Sequence, residues 1–270
     1  MDRDTKEVIA VILVIAILIF GGVSALFAYS GMDSPLTVVE SGSMQHSEDR
    51  SMIGVIDTGD IVIMRDTSKC AITTFVEGHE SGYQRFGDYG DVIIYNRAHA
   101  NPVIHRAIVW LDYLGNDKWA APSLKNYDDW KVTEGNCDSM SGILTIGGLG
   151  WRNLSASVNL DGLPRHSGYL TNGDNNSSGN ITYFDQATSI ARELGLIQKS
   201  DLKAVAGLEI PYFGCIKMLV SNINVDQIPV NSIPCLAVVF IDIAAFFIVL
   251  AILLELLSSY LDFRKEKKNA

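Results

Sequence analysis

Apolar and polar positions alternate along this chain on two scales. On the long scale, Val8 to Met32 is 25 residues without a charge, and Cys235 to Leu257 is 23 residues broken only by Asp242 and Glu255. A hydrocarbon layer of about 30 Å takes roughly 20 helical residues, so the pattern predicts spanning helices over 8–29 and 234–258. On the short scale, the segment between them (30–232) carries brief β-branched runs: Ile61–Met64, Val92–Tyr95 and Ala107–Trp110. Gly, Asp and Asn bound these runs, as they bound buried strands. Two of them open on Gly-Asp, at Gly59-Asp60 and Gly90-Asp91, where the glycine suits a turn and the carboxylate caps the strand entry. Asp185 to Leu196 has helical spacing, with Ile190, Leu194 and Ile197 in phase. Residues 112–168 are patterned weakly and rich in Gly, Ser, Asn and Asp, and are expected to form an insertion of short strands. The predicted fold class is a mainly β domain of irregular connections, flanked by one N-terminal and one C-terminal transmembrane helix.

Composition adds the sidedness. The chain is 48% hydrophobic and only 19% charged, against about 25% charged in soluble domains. The flank Met1–Glu7 is weakly acidic, and the run after it exceeds the 7–15 residues of a signal-peptide core, so an uncleaved span is expected. Arg264-Lys265-Glu266-Lys267-Lys268 follows the second run, and such a basic cluster marks the cytoplasmic side. Both ends (1–7 and 259–270) are then cytoplasmic and the body lies outside the cytoplasm, anchored in the plasma membrane. Asp242 falls inside the second run, where a carboxylate costs about 2.5–3.5 kcal/mol on insertion scales. The body holds 15 Lys and Arg against 24 Asp and Glu, which offers no basic surface to nucleic acid. None of the four cysteines forms a CxxC pair, so zinc is unsupported. Cys70 and Cys137 lie in the exported segment, where a disulfide between them is chemically permitted. Asn153, Asn175, Asn176 and Asn180 head glycosylation sequons.

Three short stretches carry candidate chemistry. Val38-Val39-Glu40-Ser41-Gly42-Ser43-Met44 follows the first span by about ten residues, and Met44 can anchor a turn that presents Ser43. A serine hydroxyl is a weak nucleophile and needs a base beside it. Among His46, His79, His99, His105 and His166, only His105 sits in a strand pattern with apolar neighbours on both sides. A base histidine in turn needs a carboxylate to fix its tautomer. Asp174, in Gly173-Asp174-Asn175-Asn176, and Asp185 are both candidates.

In this order, Ser-Gly-Ser-Met, Gly-Asp-Ile-Val, Ile-His-Arg and Gly-Asp-Asn-Asn with a downstream Asp resemble the type I signal peptidases, and more narrowly the archaeal and endoplasmic-reticulum type. Bacterial relatives use a lysine base; His105-Arg106 stands in the corresponding segment and places the resemblance in the Ser-His branch. Ile210-Pro211-Tyr212-Phe213-Gly214 resembles the family's last motif. The likeness covers about 38–66, 86–110 and 170–218. It implies Ser43 as nucleophile, His105 as general base, and Asp174 and Asp185 as the acidic positions. It also implies that Ser41 joins the Ser43 backbone N–H in an oxyanion hole, with Met44 beside the substrate. The chain departs from the family in three ways. His46 stands where the family has Pro, and is a rival base. The interval from Asp174 to Asp185 is long. Residues 112–168 have no counterpart.

The resemblance implies a membrane-bound serine endopeptidase that removes signal peptides from exported preproteins and requires no metal or cofactor. Its partners would be signal peptides with small residues at −1 and −3, membrane lipid and the translocation machinery. Two other readings stand beside it: a non-catalytic envelope or assembly module on the same scaffold, and a protease dedicated to a narrow client.

Overall fold

A computed structural model describes residues 3–97, 100–192 and 194–269. The chain runs α1 (Arg3–Ser30), β1 (Leu36–Val38), β2 (Ile61–Arg65), α2 (Phe75–Ser81), then the small hairpin β3 (Gln84–Arg85) and β4 (Asp88–Tyr89). β5 (Val92–Arg97) and the long β6 (Ala100–Gly115) follow, then β7 (Lys118–Ala120), β8 (Trp130–Asn136), β9 (Ser139–Leu149) and β10 (Leu154–Asn159). β11 (Gly168–Asn172), β12 (Ser177–Ser178), β13 (Ile181–Thr182) and β14 (Leu202–Ile210) lead to α3 (Gly214–Ser221) and α4 (Ser232–Asn269). α1 and α4 contain apolar stretches, Ile12–Ser30 and Ser232–Leu256, long enough to cross a membrane.

Twelve strands join one mixed, mainly antiparallel sheet in the order β1-β2-β14-β5-β6-β7-β9-β10-β13-β12, with β11 beside β6 and β8 beside β9. β5 shows why its apolar run has no polar alternation. Val92 and Ile94 point into one core with Met44, Ile56, Val62 and Met64. Ile93 and Tyr95 point into another with Ala107, Tyr169, Ile197 and Val205. A strand covered on both faces reads as a continuous apolar run. A third core, around Phe75, Trp119, Tyr127, Leu144 and Ile146, fills a second lobe. β6 runs through both lobes, pairing β5 and β11 in its first part and β7 at its end.

The three predicted strands are present as β2, β5 and β6, each longer than its apolar run. Gly59 and Gly90 both take positive φ. Asp60 accepts the Tyr212 and Asp57 N–H groups, and Asp91 accepts from Thr73 N–H and the Tyr83 hydroxyl. Two expectations are corrected, the helix at 185–196 and the short-strand insertion, and the permitted disulfide is absent. Where the spacing predicts a helix over Asp185–Leu196, the described residues form a 3₁₀ turn over Asp185–Ala187 followed mainly by turns. The Thr188 hydroxyl donates to Asp185 O and accepts the Ile190 N–H, which diverts the backbone from helical bonding. Ile190, Leu194 and Ile197 still pack on the body. Cys70 and Cys137 are free thiols; they lie at the edges of different cores. The stretch 112–168 contains an 11-residue strand, β9, within a lobe of its own rather than short strands alone.

Candidate active site

Met44 is fully buried among Ile56, Val62 and Ile94, which pins the turn that carries Ser43. Asn175 holds the same turn from the other side: its N–H donates to Ser43 O at 2.8 Å and its amide donates to Gly42 O at 3.0 Å. A glycan on this Asn175 amide would replace the second bond. Gln45 accepts from the Thr58 hydroxyl at 2.7 Å. The Ser43 turn is thus fixed at three points, of which the sequence pointed only to Met44.

Ser43 Oγ lies 3.0 Å from His105 Nε2, and His105 Nδ1 lies 2.7 Å from Asp185 Oδ2. Asp185 is fully buried. The same oxygen accepts from the Tyr95 hydroxyl at 2.8 Å and the Thr171 hydroxyl at 2.7 Å. Burial, and then the Asp185 charge, push the Tyr95 phenol far above its ordinary range, so it stays a donor. With Nδ1–H donated to Asp185, the Nε2 lone pair faces Ser43. Tyr95 and Thr171 were not anticipated; a tyrosine in the run that pairs His105's strand was the available signal.

Gly173 lets this chain of contacts close. A Cβ there would stand 2.8 Å from His105 Nε2 and 2.7 Å from Ser43 O. Its neighbour Asp174 takes a different part. It accepts from Arg106 Nε at 2.8 Å and Nη2 at 2.5 Å, and faces His46 Nε2 at 2.9 Å. Burial opposes the charge on Asp174, but Arg106 and then His46 outweigh it and hold the carboxyl below its ordinary range. Arg106 is fully buried, and its Nη1 also reaches the carbonyls of Arg85, Tyr89 and Gly90 at 2.9–3.1 Å. Of the two candidate aspartates, Asp185 meets His105 and Asp174 braces the loop behind it. His46 belongs to the Asp174 cluster. His99 lies outside the described residues.

Ser43 opens into a groove of about 490 Å³, lined on one side by Thr37–Ser41 and on the other by Asn101–His105. Ser41 and Met44 both contribute to its lining. Both walls offer strand edges. β1 pairs only β2 and ends the sheet, and β11 pairs β6 only from Arg106 onward. Peptide recognition commonly uses such edges, because an extended chain can complete their hydrogen bonding. No metal-ligating cluster is found among the described residues. No family model matches the chain, and no curated protein matches it.

Proposed function

We propose that this chain is a membrane-anchored serine endopeptidase of the signal-peptidase kind, acting outside the cytoplasm on the extended segment that follows a substrate's membrane-spanning signal. The observation that carries this reading is the hydrogen-bonded sequence Ser43, His105, Asp185 at the mouth of a groove with two open strand edges. In this mechanism His105 Nε2 takes the Ser43 proton as Oγ attacks the scissile carbonyl, while Asp185 holds the ring and faces the imidazolium. The same Nε2–H then protonates the leaving amine, and water resolves the acyl-enzyme. The Ser43 N–H and the Ser41 hydroxyl are the proposed donors to the oxyanion; one such donor is worth about 2.7–4 kcal/mol. The basic cluster Arg264–Lys268 supports the orientation.

The test is cleavage of a preprotein by the purified full chain in detergent. Ser43→Ala and His105→Ala should each lower the rate on the order of 10⁴–10⁶-fold. Full activity of Ser43→Ala would sink the mechanism.

A further inference from the structure

α3 is apolar on both sides. Cys215 and Met218, three residues apart, face inward and are buried. Ile216, Leu219 and Val220 form a second stripe at helical spacing, with Ile223 just past the helix end, and all are exposed, Val220 by 83%. An apolar stripe on each side of a helix calls for a cover on each side. The inner cover is visible. Tyr212, Cys215 and Leu236 form a buried cluster with Phe213, Cys235 and Val239 at its edge, so α3 packs on the first turns of α4. The Phe213 and Phe240 rings lie 5.8 Å apart across the same contact.

A second element is tied to the same place. Ser51 and Asn231 exchange two hydrogen bonds of 2.8 Å, and Val230 N–H donates to Asp49 O. Asn231 immediately precedes α4. The tip of this loop presents Met52 and Ile53, with Ile53 77% exposed. Two unrelated segments therefore fix exposed apolar side chains at the root of one apolar helix. Lys217, the charged side chain of α3, lies off this stripe and pairs with Glu40 at 2.9 Å.

We propose that α3 and the Met52–Ile53 tip form an interfacial foot that sinks into the lipid surrounding the root of α4. The occupant is lipid because α3 rests against the first turns of α4, where Ile233 and Val238 of α4, and Val230 just before it, are exposed apolar side chains. Lipid that surrounds α4 meets α3 where the two helices touch. Amphipathic segments of this kind bury their apolar face in the boundary between headgroups and acyl chains. Lys217 and Asn224 also line the groove of Ser43, so the foot would set the height of that groove above the hydrocarbon. The inference needs only the two apolar helices and not the protease reading.

The test uses the full chain with its cysteines replaced, reconstituted in phosphatidylcholine vesicles, with a thiol-linked environment-sensitive fluorophore placed singly. Val220→Cys and Ile53→Cys should be quenched by a lipid-borne quencher and shielded from aqueous iodide. Leu114→Cys, at the far β6–β7 turn, should be quenched by iodide alone. Phe246→Cys, within α4, tests the span itself. Iodide quenching of Val220 and Ile53 equal to that of Leu114 overturns the proposal. Shielding from both quenchers also overturns it, because the cover is then protein. Loss of lipid quenching at Phe246 would instead overturn the spanning assignment on which the foot depends.

Discussion

Two sets of carboxylates withdrawn from water, Asp174 in one and Asp57, Asp60 and the partly buried Glu209 in the other, answer burial in opposite ways. Asp174 lies against Arg106, and its carboxyl is held below the ordinary range. Asp57, Asp60 and Glu209 lie together without a facing guanidinium, and only Asp57 gains from a nearby His46. Burial pushes them up to about 6, about 8 and about 7, and backbone N–H donors only partly offset it. Asp57 Oδ1 and Glu209 Oε2 are buried without a hydrogen-bond partner. All four are carboxylates at least partly withdrawn from water, and the guanidinium is the difference. A buried acid stays an anion where a buried cation or enough hydrogen-bond donors hold the charge, and otherwise it prefers its proton.

The largest effect should come from breaking the charged pair. Arg106→Met leaves Asp174 buried with His46 alone and removes the donor to the 85–90 carbonyls. Chemical denaturation should show a loss of about 3–5 kcal/mol. Gly173→Ala probes the neighbouring position without touching the charge. Its Cβ would press on His105 Nε2, and a misplacement of this size costs about 10²-fold in rate; steady-state cleavage assays should show that loss with little change in unfolding midpoint. The uncompensated group should appear as a pH effect. The folded pKa values of Asp57, Asp60 and Glu209 exceed their unfolded values, so the folded state binds more protons. Their contribution is full near pH 4 and is lost as pH rises through about 6 to 8. Asp174 has the opposite sign and loses its contribution as pH falls below about 4. Melting temperature should therefore decline from mildly acidic pH toward pH 9; a rise over that range would erase the contrast. The smallest change is Glu209→Gln, which keeps an acceptor for Gly54 N–H. At pH 9 it should stabilise by about 1 kcal/mol, discounted for solvent access, and flatten the alkaline slope.

Much of the scaffold was legible because a strand buried on both faces writes itself as an unbroken apolar run, as β5 does with Val92–Tyr95. Ser43, His105 and Asp185 could be named as candidates from residue type and order. Choosing between Asp185 and Asp174 required the fold, since the choice depends on which carboxylate β11 and the turn after β13 carry to His105. The false helix at 185–196 had the right apolar spacing, but the Thr188 hydroxyl captured local backbone groups and spacing does not record that. α2 was missed although its capping box is explicit: Thr74 and Glu77 satisfy each other's N–H groups. Arg106 was the strongest unread signal. A charged residue inside an apolar strand run needs a buried partner, and Asp174 supplies it.

β6 and β11 carry one further consequence, for engineering. Leu111 pairs with Gly168 across these strands. Cα atoms of directly paired residues are only about 4.5–5.5 Å apart. The second lobe therefore leaves and rejoins the His105-bearing sheet at adjacent points, like a plug with its two leads side by side. A two-residue turn joining 111 to 168 would span that gap. A minimised chain built this way would keep His105, Arg106 and their pairing with β5 intact. Phe75, Leu111 and Leu170 are among the retained residues that now pack in the lobe's core, and such positions are the ones to redesign.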